Sequence, residues 1–162
     1  MRVGSYEKIR TWFLEKEWRM MFLRAAYRGL PLVVAAGYPV CLLVCFLSRR
    51  ELFLRAVLVP AAMFFFVSAF RHIADFPRPY ERGGILPLIA KDKKGHSFPS
   101  RHAASAGMIA AVWMAVWMPG GILFSAVAVL VAASRVLAGV HHVRDVLFGG
   151  VFGFFAVWIF FV

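Results

Sequence analysis

Acidic residues are scarce in this chain. Its 162 residues contain 8 Asp and Glu against 19 Lys and Arg, which gives a formal net charge of +11. Divalent cations need clustered carboxylates, so we expect neither a metal nor another cofactor. The basic excess is of a kind that attracts nucleic acid, an anionic membrane surface or an anionic substrate. Nucleic acid is the weakest of these partners, because nearly every basic residue lies close to a long apolar segment.

Cysteine is scarce as well. The two cysteines, Cys41 and Cys45, are four residues apart within one apolar segment. On a helix they would share one face, which is a poor geometry for a disulfide. We interpret both as small buried apolar residues.

Charge is absent from four long stretches of the chain. Residues 29–48, 56–70, 103–133 and 146–162 contain no Asp, Glu, Lys or Arg, and 62% of all residues are hydrophobic. A helix needs ~20 mostly apolar residues to cross about 30 Å of hydrocarbon. The sequence therefore predicts an all-α integral membrane helical bundle.

We expect a single membrane-embedded domain over residues 1–162. Residues 1–28 carry seven Lys and Arg and lack an uninterrupted apolar core, so we expect an amphipathic helix in the membrane interface rather than a signal peptide. The bundle would occupy residues 29–162, with the long loop at 75–99 as an active-site loop, because such loops are uncommon unless functional or disordered. Five spans are predicted, at about 29–48, 52–74, 100–118, 121–139 and 143–162, with tight turns at 49–51 and 118–121.

An antiparallel bundle would collect the polar residues at one end. It places the 75–99 loop, the 139–145 connection and the N-terminal helix on one face, with all five histidines and every Lys and Arg except Arg49, Arg50 and Arg55. Arginine donates bidentate hydrogen bonds to phosphate or carboxylate. A face rich in arginine and poor in acids therefore favours an anion and disfavours zinc bound through its histidines.

Two short segments carry the reactive residue types. His141 and Asp145 are four apart and would share a helix face, where a carboxylate on one ring nitrogen leaves the other free to attack or to accept a proton. Ser100 follows Pro99 at a helix N-cap position, where free N–H groups attract anions. His102 lies in the same turn, where it could transfer a proton. The pattern indicates one wall of a phosphate pocket at the membrane surface.

Each of these residues also has an ordinary structural explanation. Histidines at helix ends are commonly satisfied polar residues, and arginines at the ends of spans commonly anchor to headgroups. His72 and His142 keep such a structural interpretation. Lys91, Lys93 and Lys94 either gate an anionic headgroup or belong to a solvated loop. The combination, rather than any single residue, favours a functional site.

Three segments, taken in order, resemble the motifs of the type 2 phosphatidic acid phosphatase superfamily. The family pattern is K-x6-R-P, then P-S-G-H, then S-R-x5-H-x3-D. The third motif matches completely, whereas Arg71 replaces a lysine in the first and Arg101 replaces a glycine in the second. The matching segments are RHIADFPRP (residues 71–79), PSRH (99–102) and SRVLAGVHHVRD (134–145).

The resemblance implies roles for the matching residues. His141 would be the nucleophile that forms a phosphohistidine, oriented by Asp145, and His102 would be the general acid that protonates the leaving oxygen. Family members need no metal. Arg101, which replaces the family's glycine, would either contact the substrate or point outward. The residues that would bind the substrate phosphate are Arg71, Arg78, Ser100, Arg101 and Arg135.

The implied activity is hydrolysis of a lipid phosphomonoester or pyrophosphate. Candidate substrates are phosphatidic acid, phosphatidylglycerol phosphate, undecaprenyl pyrophosphate and phosphorylated lipid A. The alternative is a transporter or binding protein that holds an anionic lipid without hydrolysing it. Charges within the spans would suit transport, but here they gather at one rim.

We expect a multi-pass protein of the bacterial cytoplasmic membrane. Seven basic residues precede the first span and three lie in the opposite turn, a bias that would put the site in the cytoplasm. Bacterial relatives commonly face outward, and we follow that precedent. The oligomeric state is left open.

Overall fold

The structure, a computed structural model, describes residues 3–81 and 85–162. These residues form six α-helices and no strand. The helices are α1 (Val3–Leu14), α2 (Glu17–Ser48), α3 (Arg50–Ala74), α4 (Arg101–Val116), α5 (Met118–Leu137) and α6 (Val143–Trp158).

The outer surface of the bundle is apolar. Phe65, Leu58, Val129 and Phe155 are each more than half exposed, an arrangement that is unfavourable in water and suits hydrocarbon. Helices α2, α3 and α5 are long and apolar enough to cross a membrane. Helices α4 and α6 have 16 residues each, about 24 Å at 1.5 Å per residue. The prediction of an all-helical membrane bundle is confirmed.

Helix α4 lies at the centre of the bundle. It packs most extensively on α6 and α5 and also contacts α2 and α3. Small residues permit this approach: a Cβ added to Gly153 of α6 would lie 3.0 Å from Ala104 Cα, and one added to Gly107 would overlap the carbonyl oxygen of Gly150. Such close backbone contact drives helix association in lipid. It holds the N-terminal ends of α4 and α6, which carry polar residues, side by side.

The N-terminal segment differs from the prediction. One interfacial helix is expected over residues 1–28, but the structure has a break between two helices there. Helix α1 ends at Leu14, and α2 begins at Glu17 and continues without a break to Ser48. No proline lies between residue 17 and Pro31, so nothing stops the charged turns from joining the apolar ones. At about 48 Å, α2 is longer than the ~30 Å hydrocarbon layer.

The turn predicted at residues 118–121 lies earlier in the chain. Trp117 alone separates α4 from α5. Pro119 belongs to the first turn of α5, where its missing N–H costs nothing. A Cβ on Gly121 would lie 2.6 Å from Met114 N, so glycine lets this corner close.

The connection between α3 and α4 has its two ends held together. The Ser97 N–H donates to the Phe76 carbonyl at 2.8 Å, and the His96 N–H donates to Asp75 Oδ1 at 3.0 Å. Asp75 ends α3 with a left-handed φ of 38°. We call Asp75, Phe76, His96 and Ser97 the loop stem. The stem holds the second half of the loop beside the N-terminal ends of α4 and α6, where Ser97 contacts Asp145.

Candidate active site

A histidine, a carboxylate and a serine form the buried centre of the site. His141 lies between α5 and α6, and its Nδ1 atom is 3.6 Å from Asp145 Oδ2. Ser97 Oγ donates to the same Oδ2 at 2.5 Å and lies 3.4 Å from His141 Nδ1. The His142 N–H also donates to Oδ2 at 3.0 Å. Because Nδ1 faces the carboxylate, Nε2 is the ring nitrogen available for chemistry.

The environment of His141 favours its neutral form. The side chain is 3% exposed, and burial lowers the pKa of His141 to about 4, with the Arg78 and Arg71 charges acting in the same direction against the opposing effect of Asp145. A histidine in water titrates near 6.5. His141 is therefore uncharged at neutral pH, as a nitrogen nucleophile must be.

Arg71 is buried at the end of α3 and directed toward the loop. Its guanidinium donates to the carbonyl oxygens of His96, Ser97 and Pro99. A planar fork of donors can make these contacts together, whereas a lysine ammonium has no such geometry. Arg71 therefore secures the segment that precedes α4 and also contributes positive charge near Asp145.

The other two motif arginines are also buried. Arg78 Nε donates to the Gly95 carbonyl at 3.0 Å, and Arg78 Nη1 donates to the Val140 carbonyl at 3.3 Å, next to His141. Arg135, in the last turn of α5, donates from Nη2 to the Tyr27 carbonyl at 3.0 Å. These contacts fix the position of the charges and use part of their donors.

Two buried donors in the site have no hydrogen-bond partner among the described residues. They are Ser100 Oγ and Arg135 Nε, both predicted to bind phosphoryl oxygens. Ser100 is the N-cap of α4, as predicted, but its side chain makes no capping bond. Its N–H donates to the Asp145 carbonyl at 2.8 Å, so the free amides lie in the first turn of α4. Orphaned donors at a helix N-terminus suit an oxyanion.

Arg101 and His102 lie in the first turn of α4 and are exposed. They line a cleft of about 330 Å³ whose other walls are mostly apolar, including Pro31, Phe64 and Val131. Of the two predicted histidines, His141 is therefore buried, and His102 lies at the mouth of an apolar cleft.

A second cleft continues the first toward the middle of α2 and α3. It measures about 260 Å³, shares Phe64, Ser105 and Ile109 with the first, and extends to Tyr38 and Pro60. The combined apolar groove runs between α2, α3 and α4. A polar rim thus opens into a groove of the kind that could hold a hydrocarbon chain.

Two residues of the site were missed by the sequence interpretation. Ser97 bonds to Asp145, and Tyr27 supports Arg135, with the guanidinium 3.9 Å over the Tyr27 ring. Ser97 is a serine in a loop that contains another serine, Ser100, with nothing local to distinguish it. Tyr27 is 108 residues from Arg135, so only the folded bundle reveals their contact.

Within the described ranges, no group of three or more His, Cys, Asp and Glu side chains is arranged to hold a metal ion. The polar groups that converge on the site are instead cations and neutral donors, with Asp145 engaged by Ser97 and His142.

Fold and site together define a helical membrane protein with a cationic pocket around a buried histidine. The family model of the PAP2 superfamily, the type 2 phosphatidic acid phosphatases, matches residues 52–162. The chain belongs to this superfamily, which confirms the resemblance drawn from the three motifs.

Two solved structures share the fold. The crystal structure of Aquifex aeolicus LpxE is 22% identical with a TM-score of 0.59, and the match covers 86% of this chain and 92% of that one. The second is the crystal structure of a transmembrane PAP2-type phosphatidylglycerolphosphate phosphatase from Bacillus subtilis. It is 22% identical with a TM-score of 0.63, covering 97% of this chain and 82% of that one. Both likenesses cover a larger share of this chain than the matched family segment does.

Proposed function

We propose that this protein is a membrane lipid phosphatase that works through a phosphohistidine on His141. The observation that carries the proposal is the buried neutral imidazole, with Nδ1 against Asp145, beside two orphaned donors, Ser100 Oγ and Arg135 Nε. Membership of a phosphatase family supports the same reaction class.

In the first step, His141 Nε2 attacks the phosphorus atom while the bond to the leaving oxygen breaks. The Asp145 carboxylate holds the ring and stabilises the positive charge that develops on it. Arg71, Arg78 and Arg135 stabilise the charge on the phosphoryl oxygens, the main task in phosphoryl transfer. The negative charge of the bound phosphate favours the protonated form of His102, which donates its proton to the leaving oxygen.

In the second step, water attacks the phosphohistidine. His102, now neutral, accepts a proton from that water, the nitrogen–phosphorus bond breaks, and orthophosphate leaves. The imidazole returns to its neutral form, and His102 is protonated again for the next cycle. No group outside the chain, the substrate and water is needed to balance these steps.

A lipid substrate is supported by the apolar groove that begins at Arg101 and His102. The groove passes from Arg101 and His102 to Tyr38 and Pro60, so a phosphate at the rim would have its hydrocarbon chain in the groove. Burial of each methylene contributes about 0.8 kcal/mol. Phosphatidic acid, phosphatidylglycerol phosphate and polyprenyl phosphates all combine these two parts.

The test is phosphate release from these lipids by the purified protein in detergent with EDTA present. His141→Ala should reduce release by roughly 1,000-fold or more, because it removes the nitrogen that would carry the phosphoryl group. The matched control is His72→Ala, which changes an exposed histidine outside the proposed machinery and should retain turnover. Acid-labile label from a ³²P-substrate should be found on His141 after rapid quenching.

Equal release by wild type and His141→Ala would refute the nucleophile. Binding of lipid phosphates without any release, by folded wild-type protein, would instead favour the transporter or binding function.

A further inference from the structure

Tyr6 is the buried residue of an otherwise accessible helix, α1. Its side chain is 0% exposed, whereas the other residues from Gly4 to Leu14 are half-buried or exposed. A tyrosine hydroxyl that is taken out of water generally has a hydrogen-bond partner. The partners of the Tyr6 hydroxyl lie 82 and 131 residues further along the chain, so they are brought to it only by the folded structure.

The Tyr6 hydroxyl connects the long loop to the end of α5. It donates to the Leu137 carbonyl at 3.3 Å and accepts from the Leu88 N–H at 3.3 Å. The same N–H also donates to the Ala138 carbonyl at 3.1 Å. We call residues 137–140 the His141 turn, because they lead directly to that residue. Helix α1, the long loop and the His141 turn therefore meet at one hydroxyl group.

The hydroxyl completes the hydrogen bonding at the end of α5. The last four carbonyl groups of a helix have no partner within the helix. Three of the four accept from backbone N–H groups of the next residues, and they belong to Ser134, Arg135 and Val136. The fourth, that of Leu137, accepts from Tyr6 instead. Loss of the hydroxyl would leave this partly buried carbonyl unpaired, which is unfavourable.

The His141 turn has a shape that admits Tyr6. Gly139 has a left-handed φ of 76°, which glycine adopts without strain. A Cβ added there would overlap the Tyr6 hydroxyl and would lie 3.2 Å from Pro87 Cα. The turn, the long loop and α1 thus approach each other more closely than a methyl group would allow.

A shift of this turn would be transmitted to the proposed nucleophile. Ala138 and Val140 are fully buried, and the Val140 carbonyl accepts from Arg78 Nη1 at 3.3 Å. His141 follows directly, with its Nδ1 atom 3.6 Å from Asp145 Oδ2. Because the turn is packed on all of these groups, its position determines where the His141 ring lies relative to Asp145.

We propose that Tyr6 is a positioning residue for His141, and that α1 is therefore a brace of the active site. This inference rests on the proposed function. The Tyr6 hydroxyl holds the His141 turn and so sets the geometry in which Nε2 meets the phosphorus atom. The far end of the brace is also fixed: Arg19 of α2 donates to the Trp12 carbonyl at 2.6 Å, and its guanidinium lies 4.0 Å over the Trp12 ring.

The test is Tyr6→Phe, which removes the hydroxyl and keeps the buried ring. The kcat for phosphatidic acid in detergent, per folded protein, should fall about tenfold, the effect of losing a hydrogen bond of about 1.4 kcal/mol. KM should stay within about twofold, because Tyr6 is not among the residues that line the groove. The matched control is Tyr80→Phe, which removes a hydroxyl bonded to the Lys93 carbonyl at 2.5 Å and should retain kcat.

Gly139→Ala tests the same contact from the other side. Its Cβ would displace the Tyr6 hydroxyl, so kcat should again fall about tenfold or more. Either change alone breaks the contact, and the double variant Tyr6→Phe with Gly139→Ala should therefore lose less than the product of the two single losses. Losses that multiply would overturn the contact as their common cause.

Amide hydrogen exchange, measured by mass spectrometry without substrate, separates this inference from the proposed function. Tyr6→Phe should raise exchange about tenfold in peptides that cover the His141 turn and residues 85–90, and should leave residues 101–106 unchanged. This pattern in a protein that hydrolyses no lipid phosphate would refute the phosphatase and retain Tyr6 as the residue that holds the turn. An unchanged kcat in Tyr6→Phe, or an equal rise of exchange in residues 101–106, would overturn the positioning role.

Discussion

The contact between Gly149 and Ser100 provides a direct test of whether helix packing sets the geometry of the site. A Cβ added to Gly149 of α6 would lie 2.7 Å from the Ser100 carbonyl oxygen and 3.3 Å from Ser100 N. Ordinary contact begins at 3.4 Å, so the Ser100 carbonyl would have to retreat by about 0.7 Å. Ser100 carries an orphaned hydroxyl of the proposed phosphate site, and its N–H is bonded to the Asp145 carbonyl at 2.8 Å.

Gly149→Ala should therefore lower kcat about 10- to 100-fold, because displacements near 1 Å in a preorganised site cost up to about 10²-fold. The matched control is Gly150→Ala, whose Cβ would meet nothing closer than 3.8 Å and should keep turnover within about twofold. Both changes gain the same helix propensity, about 1 kcal/mol, so the comparison isolates the contact. The assay is lipid phosphate hydrolysis in detergent, with melting temperature as the folding control. Equal turnover by the two variants would refute this role of the α4–α6 contact.

Two further predictions concern the buried centre. Ser97→Ala removes the hydroxyl bonded to Asp145 Oδ2 and should lower kcat about tenfold with little change in KM; an unchanged kcat would exclude Ser97 as a positioning residue. His141 in ¹³C-labelled protein should titrate near pH 4 by NMR, its resonance being assigned by loss in His141→Ala. Between about pH 6.5 and pH 4 only the unfolded chain binds this proton, so the folded state should lose stability as pH falls through that window. Titration near 6.5 would contradict the buried environment.

The positions of His141, Asp145 and Ser100 could be predicted from the sequence, because they depend on the geometry of single helices. The spacing of His141 and Asp145 places them one turn apart at the start of α6, and the proline before Ser100 favours a helix start. The contact of Gly149 with α4 follows from small residues spaced along both helices. These features depend on helix periodicity, which a sequence expresses directly.

The directions of the arginines depend on tertiary structure and could not be predicted in the same way. The sequence places positive charge at residue 71, but Arg71 points toward carbonyl groups 25 to 28 residues away. Ser97 reaches Asp145 only when the loop stem has formed. Tyr27 meets Lys91 and Arg135 from a helix whose charged turns resemble an ordinary interfacial segment. Each of these contacts joins segments that no periodic pattern connects.

The loop stem has a consequence for how relatives of this protein could diverge. Its hydrogen bonds and the Arg71 guanidinium join the two ends of the loop through Asp75, Phe76, His96 and Ser97, and Glu81 adds a bond from the Gly95 N–H. Insertions, deletions or whole segments from another protein would therefore be accepted between these anchors, on either side of Leu88, while His141, Asp145 and Ser97 keep their positions. Headgroup preference and catalytic chemistry would then evolve as separable traits, and a grafted loop would be a practical way to change the first without rebuilding the second.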